Sequence, residues 1–190
     1  MIDLTEATTA MADLLAGVRD EHLDAPTPCP HVTVGELVSH VQSLSQAFVA
    51  AAAKDLGPLT AGGPEVGGGT LPADWRTTTP GHLSALAEAW HDPSAWTGMT
   101  QAGGVDMPGD VAALVAADEI VVHGWDIARS TGQQFDPGAP ALQAAHAFLR
   151  ESRQGPVPPG LFGPEVPVPA DAPLFDRVVG LAGRDPGWSA

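Results

Sequence analysis

Cysteine and lysine each occur once in these 190 residues, and all cationic side chains together number 8 against 23 acidic ones. The single cysteine, Cys29, excludes an internal disulfide framework and fits a reducing compartment. A formal charge of -15 excludes nucleic acid as a partner, because phosphate binding needs clusters of Lys and Arg. The same deficit argues against an anionic membrane surface. The opening stretch "MIDLTEATTAMADLL" has no basic segment followed by an apolar core, so no signal peptide is expected. No uncharged run is long enough to span a bilayer, and a cytoplasmic protein is the expectation. Internal repeats are absent, as is any set of alternating segments large enough to build a sheet. Lys54 is the only lysine, and Ala, Gly and Pro are abundant, a skew that reflects coding bias more than folding.

What remains is helical. Leu4, Ala7, Met11, Leu14, Leu15 and Val18 recur at spacings of three and four, which predicts a first helix over 3–18. "APTPCP" (25–30) cannot continue it, since proline removes backbone donors and biases the preceding residue away from helix. Thr33 and Glu36 form a capping box that opens a second helix, with Val34, Leu37, Val38, Val41, Leu44 and Phe48 in one stripe to about Ala53. "GPLTAGGPEVGGG" (57–69) has no periodicity and reads as a flexible loop, of a length more often functional than structural. Pro80 is expected at the start of a third helix over 80–90. The stretch 91–110 reads as loop with room for a short hairpin. Helices over 111–130, ending before Gly132, and over 137–150 follow, then a proline-rich tail in which "PLFDRVVGLAG" forms a last short helix. One domain over 1–190 is expected, an all-α, up-and-down four-helix bundle with Gly/Pro-rich loops and a short C-terminal extension.

The fourth helix is apolar yet carries Asp118, Glu119, His123 and Asp126, and buried charge is costly unless paired or metal-bound. At 100° per residue, Glu119, His123 and Asp126 share a narrow stripe between Val115 and Val122 on one side and Ile120 and Ile127 on the other. Asp118 points away from it and must reach solvent or a base such as Arg129. Ala113, Ala117, Gly124 and Ala128 make a small arc that suits a close neighbouring helix. Glu119 and His123 stand at i,i+4, the spacing that aims two ligands at one ion. His40, at the edge of the second helix's apolar stripe, is the best third ligand, because bundle metal sites are built from facing helices. Two nitrogens and a carboxylate oxygen suit a divalent transition metal and leave a position for water or substrate. The spacing also admits His40 as a hydrogen-bonded boundary residue and Glu119–His123 as a surface pair.

Among the other candidates, His82 and His91 lack an acidic partner at helical spacing, and His22, His31 and His146 read as loop or surface. Cys29, between prolines, is open to a buried small hydrophobe or a reactive thiol, and the inert reading is favoured. Trp75, Trp90, Trp96 and Trp125 are expected to fill core or loop contacts rather than form a binding cage.

"TPCPHVTVGELVSHV" (27–41), "ADEIVVHGWDIARSTG" (117–132) and "FGPEVPVPADAPLFDRVVGLAGRDPGW" (162–188) together resemble the actinobacterial metal-binding proteins related to the N-terminal domain of mycothiol-dependent maleylpyruvate isomerase, within the DinB-like bundles. The resemblance implies metal ligation by His40, Glu119 and His123, with zinc first and nickel, manganese or iron as alternatives. It also implies mycothiol, a low-molecular-weight thiol, as cosubstrate against an electrophilic small molecule. The chain has His31 and Val32 where the family has an acidic residue and a tryptophan, and its length leaves no room for the isomerase's second domain. The first functional expectation is therefore a metal- and thiol-dependent transferase or isomerase, in which Asp126 orients His123 or serves a nearby polar contact. A non-catalytic metal-binding, stress-response or sensing bundle is the second, and a purely structural partner protein the third. A monomer and a homodimer are both open.

Overall fold

A computed structural model describes residues 1–63, 66, 67, 69–155 and 162–189. Four long helices form the bundle: α1 (Thr5–Ala16), α2 (Val34–Ala53), α4 (Trp75–Ala89) and α5 (Gly109–Thr131), with a single turn, α3 (Pro58–Ala61), between the second and third of these. A hairpin of β1 (Met99–Ala102) and β2 (Val105–Pro108) precedes α5, with Thr100 opposite Met107. Helices α6 (Ala139–Ser152) and α7 (Leu174–Leu181) complete the order. Around the bundle, α1 touches α4 and α5, and α2 touches the same two, so α1 and α2 lie diagonally opposite. Helix α6 covers the outer side of α5 and α7 packs on α6. No helix among the described residues is long and apolar enough to cross a membrane.

The capping box at the start of α2 is present. Glu36 N donates to Thr33 Oγ1 at 3.3 Å, and Glu36 Oε2 accepts from Thr33 N at 2.9 Å. This fixes where α2 begins and therefore the height of His40, two turns along. Helix α5 ends at Gly132, whose φ of 68° is the left-handed cap conformation that glycine adopts without strain. The core is continuous through the ring, with Met11, Leu37, Leu83, Leu86, Trp90, Ile120 and Ile127 all fully buried. Because α1, α2 and α6 all pack on α5, that helix is buried on nearly every side. Its apolar composition is thereby explained.

Three expectations need correction. Helix α4 starts at Trp75, not at Pro80, which lies within it. The extra turn is held by buried Trp75 and by Arg76, whose Nη2 donates to Val18 O at 3.1 Å and to Asp20 Oδ1 at 2.7 Å. The proline costs only the one helical bond to the Arg76 carbonyl. The stretch 57–69 is not all loop, because Pro58 opens α3 and Thr60 bonds both Gly57 and Gln101. Residues 64, 65 and 68 of that stretch lie outside the described residues; Gly67 and Gly69 lie against Glu36 and Ser39 of α2. Finally, the small size of Gly124 does not serve a neighbouring helix. A Cβ there would sit 2.2 Å from the Phe135 ring, which comes from the connector after α5.

Candidate functional site

His40 comes from α2, and Glu119 and His123 from successive turns of α5, the two helices being in direct contact. The three bring one ligand atom each to within 4.8 Å of one another. His123 Nε2 is 3.0 Å and His40 Nε2 3.3 Å from Glu119 Oε2. The imidazoles stand edge to face, 5.0 Å between centroids at 87°. Their side chains are 15% (His40), 24% (Glu119) and 7% (His123) exposed, so the cluster is enclosed by α5 and opens past Glu119 and His40. Two shallow cavities of about 220 and 240 Å³ run along α1 and α4, and neither is lined by any of the three. The site is defined by donor geometry, not by cavity volume.

Behind the cluster stands a second layer. His123 Nδ1 lies 3.1 Å from Asp126 Oδ2, which also accepts from Arg184 Nη2 at 2.9 Å. Asp126 is fully buried and Arg184 nearly so. A carboxylate at Nδ1 fixes the ring so that Nε2 is aimed at Glu119, to which it donates when the imidazole is protonated; to a bound cation it would present its lone pair instead. Two imidazole nitrogens and a carboxylate oxygen converge on one point, with the far nitrogen of one ring held by a carboxylate, so these residues could hold a divalent cation with an open position.

The electrostatics follow from this packing. Burial pushes the Glu119 carboxyl up, but hydrogen bonds from His123 and His40 outweigh it and hold Glu119 below the usual carboxylate range. Burial pushes His123 down, yet its bonds to Asp126 and Glu119 win, and its pKa rises to about 9. In the metal-free protein the His123 proton is the counter-charge between two carboxylates. Burial also raises Asp126, but the Arg184 guanidinium and His123 bring it below its ordinary value.

Asp118 departs from expectation. It is 4% exposed, its Oδ1 has no hydrogen-bond partner among the described residues, and burial followed by the Glu119 charge raises its pKa well above the usual range. Arg129 does not serve it. That guanidinium instead donates to the Trp188 carbonyl and lies over the Trp125 ring, 5.7 Å from its centroid. A neutral carboxyl is the buried form that costs least here.

The remaining residues fall into place around the bundle. His91 has acidic partners after all, Asp3 at 3.2 Å and Glu88 at 3.6 Å, the latter at i,i+3. His22 Nδ1 accepts from Arg19 N. His146 is half-buried on α6. His31 is exposed at a φ of 65°, and Val32 is buried against the core. Burial raises the Cys29 thiol, the Arg184 charge opposing it, which keeps the thiol protonated and inert. Arg184 is the one site residue that sequence patterning misses. Its only signal is that a buried Asp126 needs a cation, and seven arginines were available.

Comparison with known proteins places these observations. Residues 4–128 match the family model described as the mycothiol maleylpyruvate isomerase N-terminal domain. The uncharacterized protein Rv0738 of Mycobacterium tuberculosis is 30% identical over 185 residues, covering 94% of this chain and 93% of its own. The crystal structure of the mycothiol-dependent maleylpyruvate isomerase superposes with a TM-score of 0.59 at 20% identity, covering 80% of this chain and 70% of that one. A histidine-to-alanine mutant of the same enzyme superposes at 0.54 and 18% identity, covering 80% of this chain and 71% of its own. These likenesses show the fold, a DinB-like helical bundle.

Proposed function

This chain belongs to the mycothiol maleylpyruvate isomerase N-terminal domain family, and on that premise we propose that it is a divalent-metal-binding, thiol-dependent transferase or isomerase of the cytoplasm. His40, Glu119 and His123 hold the metal, zinc first and nickel, manganese or iron as alternatives. Mycothiol is the cosubstrate and an electrophilic small molecule its partner. The observation that carries this reading is the convergence of three donor atoms within 4.8 Å, backed by the Asp126 contact to His123.

A divalent cation bound here supplies Lewis acidity that lowers a thiol pKa from about 8.5 toward neutrality. The chain's own residues do the rest. Glu119 contributes the single anionic ligand, and Asp126 keeps the His123 proton on Nδ1, away from the ligand face. The partial exposure of His40 and Glu119 leaves one direction from which a thiol and an electrophile can approach.

Metal content by elemental mass spectrometry on untagged protein tests the first half of the proposal. One equivalent is expected in the native chain and loss of most of it in His40→Ala, Glu119→Ala and His123→Ala. Unchanged metal in all three variants would remove the reading. Incubation of the loaded protein with mycothiol and maleylpyruvate or a bimane tests the second half, with thiol-dependent turnover expected. One observation favours the alternative of a non-catalytic metal-binding, stress-response or sensing bundle: the family model that matches, over residues 4–128, describes the isomerase's N-terminal domain. Bound metal without thiol binding or turnover would select it.

A further inference from the structure

We infer that Arg184 is a positioning residue of the metal centre, reaching it from the C-terminal segment and acting through Asp126 on His123; the inference rests on the reading that His40, Glu119 and His123 hold a cation. Arg184 presents two donors to one carboxylate, Nη2 to Oδ2 at 2.9 Å and Nε to Oδ1 at 3.3 Å. Its third nitrogen, Nη1, donates to Ala182 O at 2.8 Å, so the guanidinium plane is fixed at both ends. Asp126 Oδ2 is shared between Arg184 and His123 Nδ1, and the orientation of the carboxylate therefore sets the orientation of the ring.

The route by which Arg184 arrives is specific. After α7 the chain turns at Gly183, where φ is +83° and an added Cβ would lie 2.8 Å from the Gly163 backbone. No other residue suits both demands. Arg153 holds the two strands of this crossing together by donating to the carbonyls of Leu181 and Gly163. Arg184 N then bonds Val179 O at 2.8 Å, and the side chain enters the bundle beside α5. Nothing else among the described residues hydrogen-bonds the Asp126 carboxylate apart from His123. With Arg184 removed, Asp126 can turn away from His123, and Nε2 loses its fixed bearing.

Zinc alone, titrated into the full chain against a chelator of known affinity, tests the inference. Arg184→Met and Asp126→Asn are each expected to weaken zinc binding about 10- to 100-fold, the range for outer partners of a metal-ligating histidine. The double variant should be no weaker than Asp126→Asn alone, because the two act in series. Arg184→Lys, which keeps the charge but loses the fork, should fall between wild type and Arg184→Met, and it decides the matter if Arg184→Met does not fold. The visible spectrum of the cobalt(II) form should shift in the same variants. A merely structural Arg184 lowers the thermal midpoint but leaves the zinc affinity and the cobalt spectrum of the folded chain unchanged. That result, or multiplicative effects in the double variant, overturns the inference while leaving the metal reading intact. A wild-type chain that binds no zinc overturns both.

Discussion

Glu119 Oε2 lies within hydrogen-bond reach of two imidazole nitrogens, and that arrangement ties metal affinity to pH. His123 is raised from its ordinary value of 6.5 to about 9. A raised base stabilises the fold fully below its unfolded value and ceases to as pH climbs through its folded one, so the window here runs from 6.5 to about 9. Asp118, also raised, acts in the same direction from lower pH upward. The metal-free protein is therefore expected to lose thermal stability from pH 6.5 to 8.5. A cation that displaces the His123 proton gains apparent affinity over the same window, by up to about tenfold per pH unit. Melting curves with zinc and with chelator at four pH values check this, and a gap that stays constant or narrows as pH rises contradicts it. At this scale the sequence was informative wherever one helix carried the information: Glu119, His123 and Asp126 share a stripe because 3.6 residues make a turn. Arg184 was hidden because its partner lies 58 positions away and no periodicity connects them.

Among the elements, α5 governs the rest, and Gly124 shows how. Its missing side chain seats Phe135, whose ring lies 6.2 Å from that of Phe175 on α7. The notch thus links the site helix to the segment that delivers Arg184. Gly124→Ala is expected to destabilise by about 1–3 kcal/mol through overpacking, despite alanine's better helix propensity. Urea denaturation measures it, and Phe135→Leu in the same background should recover part of the loss. A stabilised Gly124→Ala would show that propensity outweighs the clash. Helices α1, α2 and α5 were readable from their apolar spacing, and the capping box of α2 and the Gly132 end of α5 agree with it. The start of α4 was not, since the proline that marks a first turn by preference is here tolerated inside the helix once Trp75 and Arg76 anchor the turn before it.

For the molecule as a whole, a charge of -15 on 190 residues means that exposed carboxylates repel one another throughout the native surface. Raising sodium chloride from about 0.02 to 0.5 M shortens the Debye length from roughly 20 to 4 Å and should raise the melting temperature of the metal-free chain. A fall would mean that attractive pairs such as Arg76–Asp20 dominate the surface. The ring order of the helices, by contrast, could not be read from the sequence. Diagonal and adjacent placements of α1 and α2 bury the same stripes, and only the three-dimensional packing distinguishes them.

The diagonal placement leaves α2 and α5 side by side but 79 positions apart at the His40–Glu119 contact. An ion shared by those two side chains closes a large loop of backbone, much as a reversible crosslink would, and stiffens the tertiary contact that local sequence does least to specify. Were the proposed ion bound there, chelation would open that loop without breaking a covalent bond, and the persistence of the α2–α5 contact would be set by free metal in the surrounding solution.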